Sequence, residues 1–268
     1  VKKPYVSISI LFFVFAFSFM GDLVYTTSAY TLDASSILVS PSFAHPFGTD
    51  RLGRDLLARV IEGGKISLII GVGSAFIASF LGLILGATAG FLRGGVDKAF
   101  VVSVDLFLTF PTFFLLLALI SYVSASVLVL IFIISVTGWM TTGRLIRSES
   151  FAITSQPFIK ILNIAGVSKW KILLKYYAPL LAPIYFVSFT FGVGGAILAE
   201  SGLSFLGLGI TAPQMSWGAI LSTAKSVNEI AWWVGVFPGF MIFLVTFSLI
   251  NISSYLQKLS NQKKDLIG

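Results

Sequence analysis

"ISLIIGVGSAFIASFLGLILGATAGFL", residues 66–92, contains no charged side chain and no proline. Lipid offers no partner to backbone amides, so a chain crosses it as a helix of about 20 mostly apolar residues. The run therefore reads as a transmembrane helix, and that sets the class of the whole chain. Within it Gly82, Gly86 and Gly90 recur every fourth residue, baring one helix face for the close approach of another backbone.

Five further segments meet the same test: approximately Tyr5 to Tyr25, Ala99 to Tyr122, Val123 to Gly143, Tyr176 to Ala199 and Ile230 to Leu256. The expected fold is an all-α membrane protein with six transmembrane helices. Composition agrees. Of 268 residues 56% are apolar, 15% aromatic and only 11% charged, with a mean hydropathy of +0.96. Soluble domains carry roughly 25% charged residues. Lys2 and Lys3 ahead of an apolar run, with Ser28 and Ala29 beyond, could be taken for a signal peptide. The uncharged run from Val6 to Gly21 is long for a signal core, so an uncleaved first span is expected.

A net charge of +7 raises the question of nucleic acid, but no block of five or six basic residues occurs. The charges sit between apolar runs and are better explained by membrane orientation. With the N-terminus in the cytoplasm, the inside carries Lys2, Lys3, Arg93, Lys98, Arg144, Arg147, Lys160, Lys169, Lys171, Lys175, Lys258, Lys263 and Lys264, 13 of the 18 basic residues. The outside keeps Arg51, Arg54, Arg59, Lys65 and Lys225. The positive-inside rule then predicts cytoplasmic N- and C-termini. The expected layout is a first span over 1–25, an extracytoplasmic loop over 26–65, a five-span core over 66–256 with a cytoplasmic loop at about 144–178, and a cytoplasmic tail over 257–268.

Catalytic chemistry finds little footing. The absence of cysteine removes disulfides, thiolate nucleophiles and most zinc sites, and His45 alone cannot build a metal site. "EGGKIS" at 62–67 lacks a phosphate loop's first glycine, where Arg59 stands, and its Ser or Thr after the lysine, where Ile66 stands. "GVGG" at 192–195 and "GLG" at 207–209 lack the strand-and-helix setting of a dinucleotide site. Asp105, inside the third span ahead of Pro111, lines a water path, pairs with another subunit, or sits near the inner surface bonded to a neighbouring loop. Pro111 is expected to kink its helix. The expectation is a protein that moves something without making or breaking bonds.

"HPFGTDRLGRDLLARVIEGGKISLIIGV", 45–72, resembles the permeases of dipeptide and oligopeptide ABC importers, specifically their C-type membrane subunit. The family's G-T-D-x-x-G-R-D motif falls on Gly48, Thr49, Asp50, Gly53, Arg54 and Asp55, with Lys65 where an Arg is usual. "AESGLSFLGLG" with a following "WG", 199–218, is similar to the family's segment after span five, and Asp105 with Pro111 fits its third span. The resemblance implies a type I ABC importer permease fold in the inner (cytoplasmic) membrane. It also implies a second homologous permease subunit, two cytoplasmic ATP-binding subunits, an extracytoplasmic solute-binding protein, and ATP and Mg held by those partners rather than by this chain. Peptides are the implied substrate; oligosaccharides and nickel are the alternatives within the same machinery. An ion-gradient-driven transporter is the rival from another class, with Asp105 and Glu200 as its available intramembrane carboxylates.

The resemblance also places the ATPase-docking loop between spans four and five. Gly166, Ser168 and Pro179 fall on its Gly, Ser and Pro, but its E-A-A element reads Lys160, Ile161 and Leu162, reversing one charge and enlarging two side chains. By residue type, Gly166 can break one helix and Ser168 can cap the next. Lys171 and Lys175 would lie one turn apart on the exposed side, with Lys169 beside them, while Trp170, Ile172 and Leu173 supply an apolar face. The same pattern suits a basic loop lying on anionic lipid. The resemblance implies that the 26–65 loop faces the solute-binding protein or caps the translocation path; its residues equally suit an internal salt-bridged turn held by Asp50, Arg51, Arg54 and Asp55.

Overall fold

The computed structural model describes residues 3–265. Lys2, the side chains of Lys263 and Lys264, and the tail beyond Asp265 lie outside the described residues. The chain folds into helices α1 (Tyr5–Val24), α2 (Leu56–Leu92), α3 (Gly94–Leu108), α4 (Thr112–Ile120), α5 (Val127–Thr154), α6 (Pro157–Ile164), α7 (Lys169–Lys171), α8 (Ala178–Phe205), α9 (Trp217–Ala224) and α10 (Trp233–Asp265). A π-type turn, Ile172–Tyr177, joins α7 to α8. Among the described residues five helical stretches are long and apolar enough to cross a membrane, or six if α3 and α4 count as one bent span.

Several expected boundaries are corrected, among them the fourth span, which runs on to Thr154 rather than ending at Gly143. α2 begins at Leu56 rather than Ile66, because the Asp55 carboxylate caps it by accepting the Ala58 N–H at 2.9 Å. Arg59 and Lys65 therefore lie on the helix, each already paired, Arg59 with Asp50 and Lys65 with Glu62. The segment expected as one helix over Ala99 to Tyr122 is instead α3 and α4, set 79° apart. Pro111, at the break, has no N–H to bond back to Phe107, whose carbonyl accepts the Phe110 N–H instead.

The glycine face of α2 packs on α5. A Cβ on Gly82 would lie 2.8 Å from the Gly143 nitrogen and from Thr142 Cβ, one on Gly86 would strike the Gly143 carbonyl oxygen, and one on Gly90 would strike Ser150. Positions rise together on the two helices, so they run parallel. α8 returns antiparallel to α2, with Ile197 over Gly71 and Gly192 beside Ala75. α10 runs back along α8, where Leu249 faces Gly194 and the Ser253 hydroxyl donates to the Val187 carbonyl at 3.1 Å. Lys3 to Ser7 lie beside Asn251 to Lys258. One end of the bundle thus gathers the described start of the chain, the 155–177 segment and the end of α10; the other gathers the 25–55 loop and α9. Phenylalanines 12, 13, 76, 80, 240, 243 and 247 remain exposed on the outer faces, as suits helices set in hydrocarbon.

Candidate functional site

At the terminal end, the 157–177 segment is both anchored and presented. α6 ends where the Val167 N–H reaches back to the Leu162 carbonyl, with Gly166 at φ +70°. That left-handed conformation favours glycine. Ser168 caps the next helix, its hydroxyl accepting the Lys171 N–H at 3.4 Å. Ile159, Ile172 and Tyr177 are fully buried against Ile146 and Ile153 of α5 and Leu181 of α8. The Tyr177 hydroxyl donates to the Ser150 carbonyl at 2.6 Å and lies 3.0 Å from the Thr154 hydroxyl.

Outward from these anchors stand Lys160, Ile161, Ile164, Lys169, Trp170, Lys171, Leu174 and Lys175, all exposed. Leu162 is half-buried, and Pro179 is exposed in the first turn of α8. The expected apolar face divides: Ile172 and Leu173 pack inward, whereas Trp170 is 74% exposed. The sequence period could not show this, because the π-type turn shifts the helical register after Lys171. A load applied to this turn would reach α5 and α8 through Ile159, Ile172 and Tyr177.

At the loop end, the motif residues bond to one another. Gly48 and Gly53 have φ of +76° and +71°, and a side chain at Gly53 would collide with the Asp33 carbonyl. The Thr49 hydroxyl donates to Ser36 O at 2.5 Å and accepts the Val39 N–H at 2.8 Å, while the Thr49 carbonyl accepts Trp233 Nε1 at 3.1 Å. Asp50 is buried and accepts the Leu52 and Arg54 N–H groups at 2.9 and 3.0 Å. Its other oxygen meets Arg54 Nη2 at 2.7 Å and Arg59 Nε at 3.4 Å. Besides capping α2, Asp55 accepts from Tyr25 at 2.7 Å and lies 2.9 Å from His45 Nδ1. Burial and the Asp55 carboxylate push the Tyr25 phenol up. Of the two readings of this loop, the geometry is that of an internal latch. Arg51, however, is exposed and outside it.

The two intramembrane carboxylates go separate ways. Asp105 pairs with Arg144 of α5 at 2.5 Å, and both side chains are more than half exposed on this chain. Glu200 is fully buried in this chain and does not line the cleft described below. Its carboxyl group accepts from Ser204 and Ser216 at 2.6 Å each and from Ser67 at 3.5 Å, tying α8 to α9 and α2. Sequence reading missed Ser67 and Ser216 because they lie on other elements far from Glu200 along the chain; Ser204 stands only one helical turn away.

It also missed a cleft of about 440 Å³ between α2, α4, α5, α8 and α10. Ser74, Ser79, Thr137, Thr142, Phe191 and Ser188 contribute to its wall, which includes no ionisable side chain among the described residues. Small residues at 138, 192 and 195 keep it open.

A bundle of helices long and apolar enough to cross a membrane, packed around a cleft and carrying an anchored, exposed turn at one end, is the architecture of an α-helical membrane protein. The chain belongs to the family described as binding-protein-dependent transport system inner membrane component, which matches residues 78–265. It is 32% identical over 248 residues to the oligopeptide transport system permease protein OppC of Haemophilus influenzae, covering 92% of this chain and 80% of that protein. The protein of the same name from Mycobacterium tuberculosis is 32% identical over 238 residues, covering 88% and 81%. In fold the chain is similar to an inward-facing structure of the MetNI methionine ABC transporter, with a TM-score of 0.58 at 17% identity over 74% of this chain and 96% of that one. The protein is a multi-pass component of the inner membrane and a permease subunit of an ABC importer.

Proposed function

We propose that this subunit forms, with a second homologous permease, the path by which peptides delivered by a solute-binding protein cross the membrane. Two ATP-binding subunits, holding ATP and Mg, drive it by pressing on the Gly166–Ser168 turn. The termini and the 155–177 segment face the cytoplasm, as the distribution of basic residues favours. Peptide as the cargo is supported by the names of the relatives at 32% identity.

The observation that carries this reading is the form of the turn. Its shape is set by Gly166 at φ +70° and the Ser168 cap, its core is locked to α5 and α8, and its outer side offers exposed Ile161, Ile164, Trp170 and Leu174 among four lysines. Apolar side chains with charge around them suit a protein socket. Exposed Lys160 and Ile161 call for a wider, more acidic socket than a glutamate and an alanine would need, whereas Leu162 packs largely inward.

The test is reconstitution of the chain with its partner subunits in proteoliposomes. ATP inside the vesicles, with loaded binding protein outside, should drive tri-alanine uptake, and a proton or sodium gradient without ATP should drive none. Gradient-driven uptake by the chain alone would overturn the proposal.

A further inference from the structure

The cleft has features that helix packing does not explain. Ser74 and Ser188 line it from α2 and α8, both more than nine-tenths buried, and neither hydroxyl has a hydrogen-bond partner. A buried hydroxyl left unpaired costs free energy and is uncommon unless a ligand or water completes it. Other buried hydroxyls that line the cleft do not share the condition, although Ser18, Ser201 and Ser248 outside it do. Ser79 donates to the Phe76 carbonyl, Thr137 to Ile133, and Ser253 to Val187.

The glycines of this cleft also differ from those of the α2–α5 seam. A Cβ on Gly195 would meet nothing within 4 Å, and one on Gly138 or Gly192 would make only ordinary contact, at 3.4 Å, with Ala78 or Ala75. Close helix approach does not require glycine at these positions; the effect of having it is open volume. About 440 Å³ is within the range of small-ligand sites, which bury their ligands between apolar walls and a few polar groups. The apolar share here comes from Leu116, Ile134 and Phe191.

We infer that this cleft is a binding site, inside this one subunit, for the main chain of a peptide in transit. Ser74 and Ser188 hydrogen-bond its amide and carbonyl groups, and the neutral wall leaves the charge of its side chains unread. The inference rests on the peptide reading above and adds where, and by what chemistry, the peptide is held.

The test uses the complete reconstituted importer and three probes: tri-alanine, tri-lysine and tri-glutamate. The double variant Ser74→Ala/Ser188→Ala should lower uptake of all three by a common factor, about tenfold for the lost hydrogen bonds. Gly195→Leu, whose Cβ starts with no atom within 4 Å and whose side chain would occupy the cleft, should abolish uptake while the second permease subunit still co-purifies. Wild-type uptake by either variant would overturn the inference, as would a loss confined to one charge class. Failure of Gly195→Leu to assemble would also overturn it, by making the cleft a seam between subunits. A wild-type importer that moves none of the three peptides would remove the peptide reading and this inference together. Normal wild-type uptake with indifferent variants would remove only the inference.

Discussion

The Ser216 hydroxyl donates a 2.6 Å hydrogen bond to the Glu200 carboxyl group while accepting, at 3.0 Å, the Ala219 N–H that opens α9. Ser204 donates to the same carboxyl oxygen, and Ser67 joins from α2 while accepting the Trp217 N–H at 3.0 Å. One side chain therefore fixes the junction of α2, α8 and α9. Glu200→Ala would leave several buried hydroxyls unpaired and should cost at least about 2 kcal/mol. Glu200→Gln keeps an acceptor oxygen and should cost about 1 kcal/mol. Thermal unfolding in detergent separates the two; an alanine variant melting with the wild type would show that the cage does not hold the junction.

Gly86 tests the α2–α5 seam. A methyl group there would strike the Gly143 carbonyl oxygen and lie 3.1 Å from the Arg147 nitrogen, both rigid backbone atoms. Gly86→Ala should therefore destabilise the bundle by about 1–3 kcal/mol even though alanine is the better helix former. Gly195→Ala, which meets nothing within 4 Å, should be neutral or stabilising in the same unfolding assay.

The contrast between those glycines also marks how far the sequence could be read. The fourfold spacing of Gly82, Gly86 and Gly90 announces a packing face, and α5 fills it. Apolar runs locate every crossing, and Pro111 announces the bend in the third. Charge misplaces the start of α2, because Arg59 and Lys65 read as loop residues until Asp50 and Glu62 are seen beside them. The shape of the 157–177 turn is legible locally, since Gly166 and Ser168 act within a few residues of themselves. Glu200's cage and the Ser74–Ser188 cleft are not, because they are assembled by helices whose pairing no local pattern records.

Asp33 gives the latch loop its pH response. Hydroxyls of Ser35 and Ser36, with the Ser35 N–H, hold its carboxyl down to about 2, below the ordinary value near 3.8. A lowered carboxylate contributes stability that is present above its unfolded value and lost as pH falls through its folded one. The 33–36 turn should therefore keep its order from neutral pH to about 4 and lose it toward about 2. Hydrogen exchange of the Ser35 and Ser36 amides measures this, after correction for intrinsic rates. In Asp33→Asn the pH dependence should flatten; an unchanged profile would place the transition on another group.

Trp170 tests the proposed docking of an ATP-binding subunit. The chain has no cysteine, so Trp170→Cys carries a single thiol on an exposed site. Labelled with a thiol-reactive benzophenone and irradiated in membranes containing the whole importer, it should photocross-link to an ATP-binding subunit. Phe43→Cys, also exposed, on the loop at the other end, should form no such cross-link under the same labelling. The reverse pattern would invert the proposed orientation.

ATP-driven tri-alanine uptake by an importer carrying Gly166→Val measures the coupling itself. Gly166 has no neighbour within 4 Å of where its side chain would start, so valine disturbs only a backbone held at φ +70°. That strain is of the order of 1–3 kcal/mol and is confined to the turn. The account predicts that uptake falls to background while the variant still inserts and its helix bundle melts as the wild type does. Wild-type uptake by that variant would contradict it.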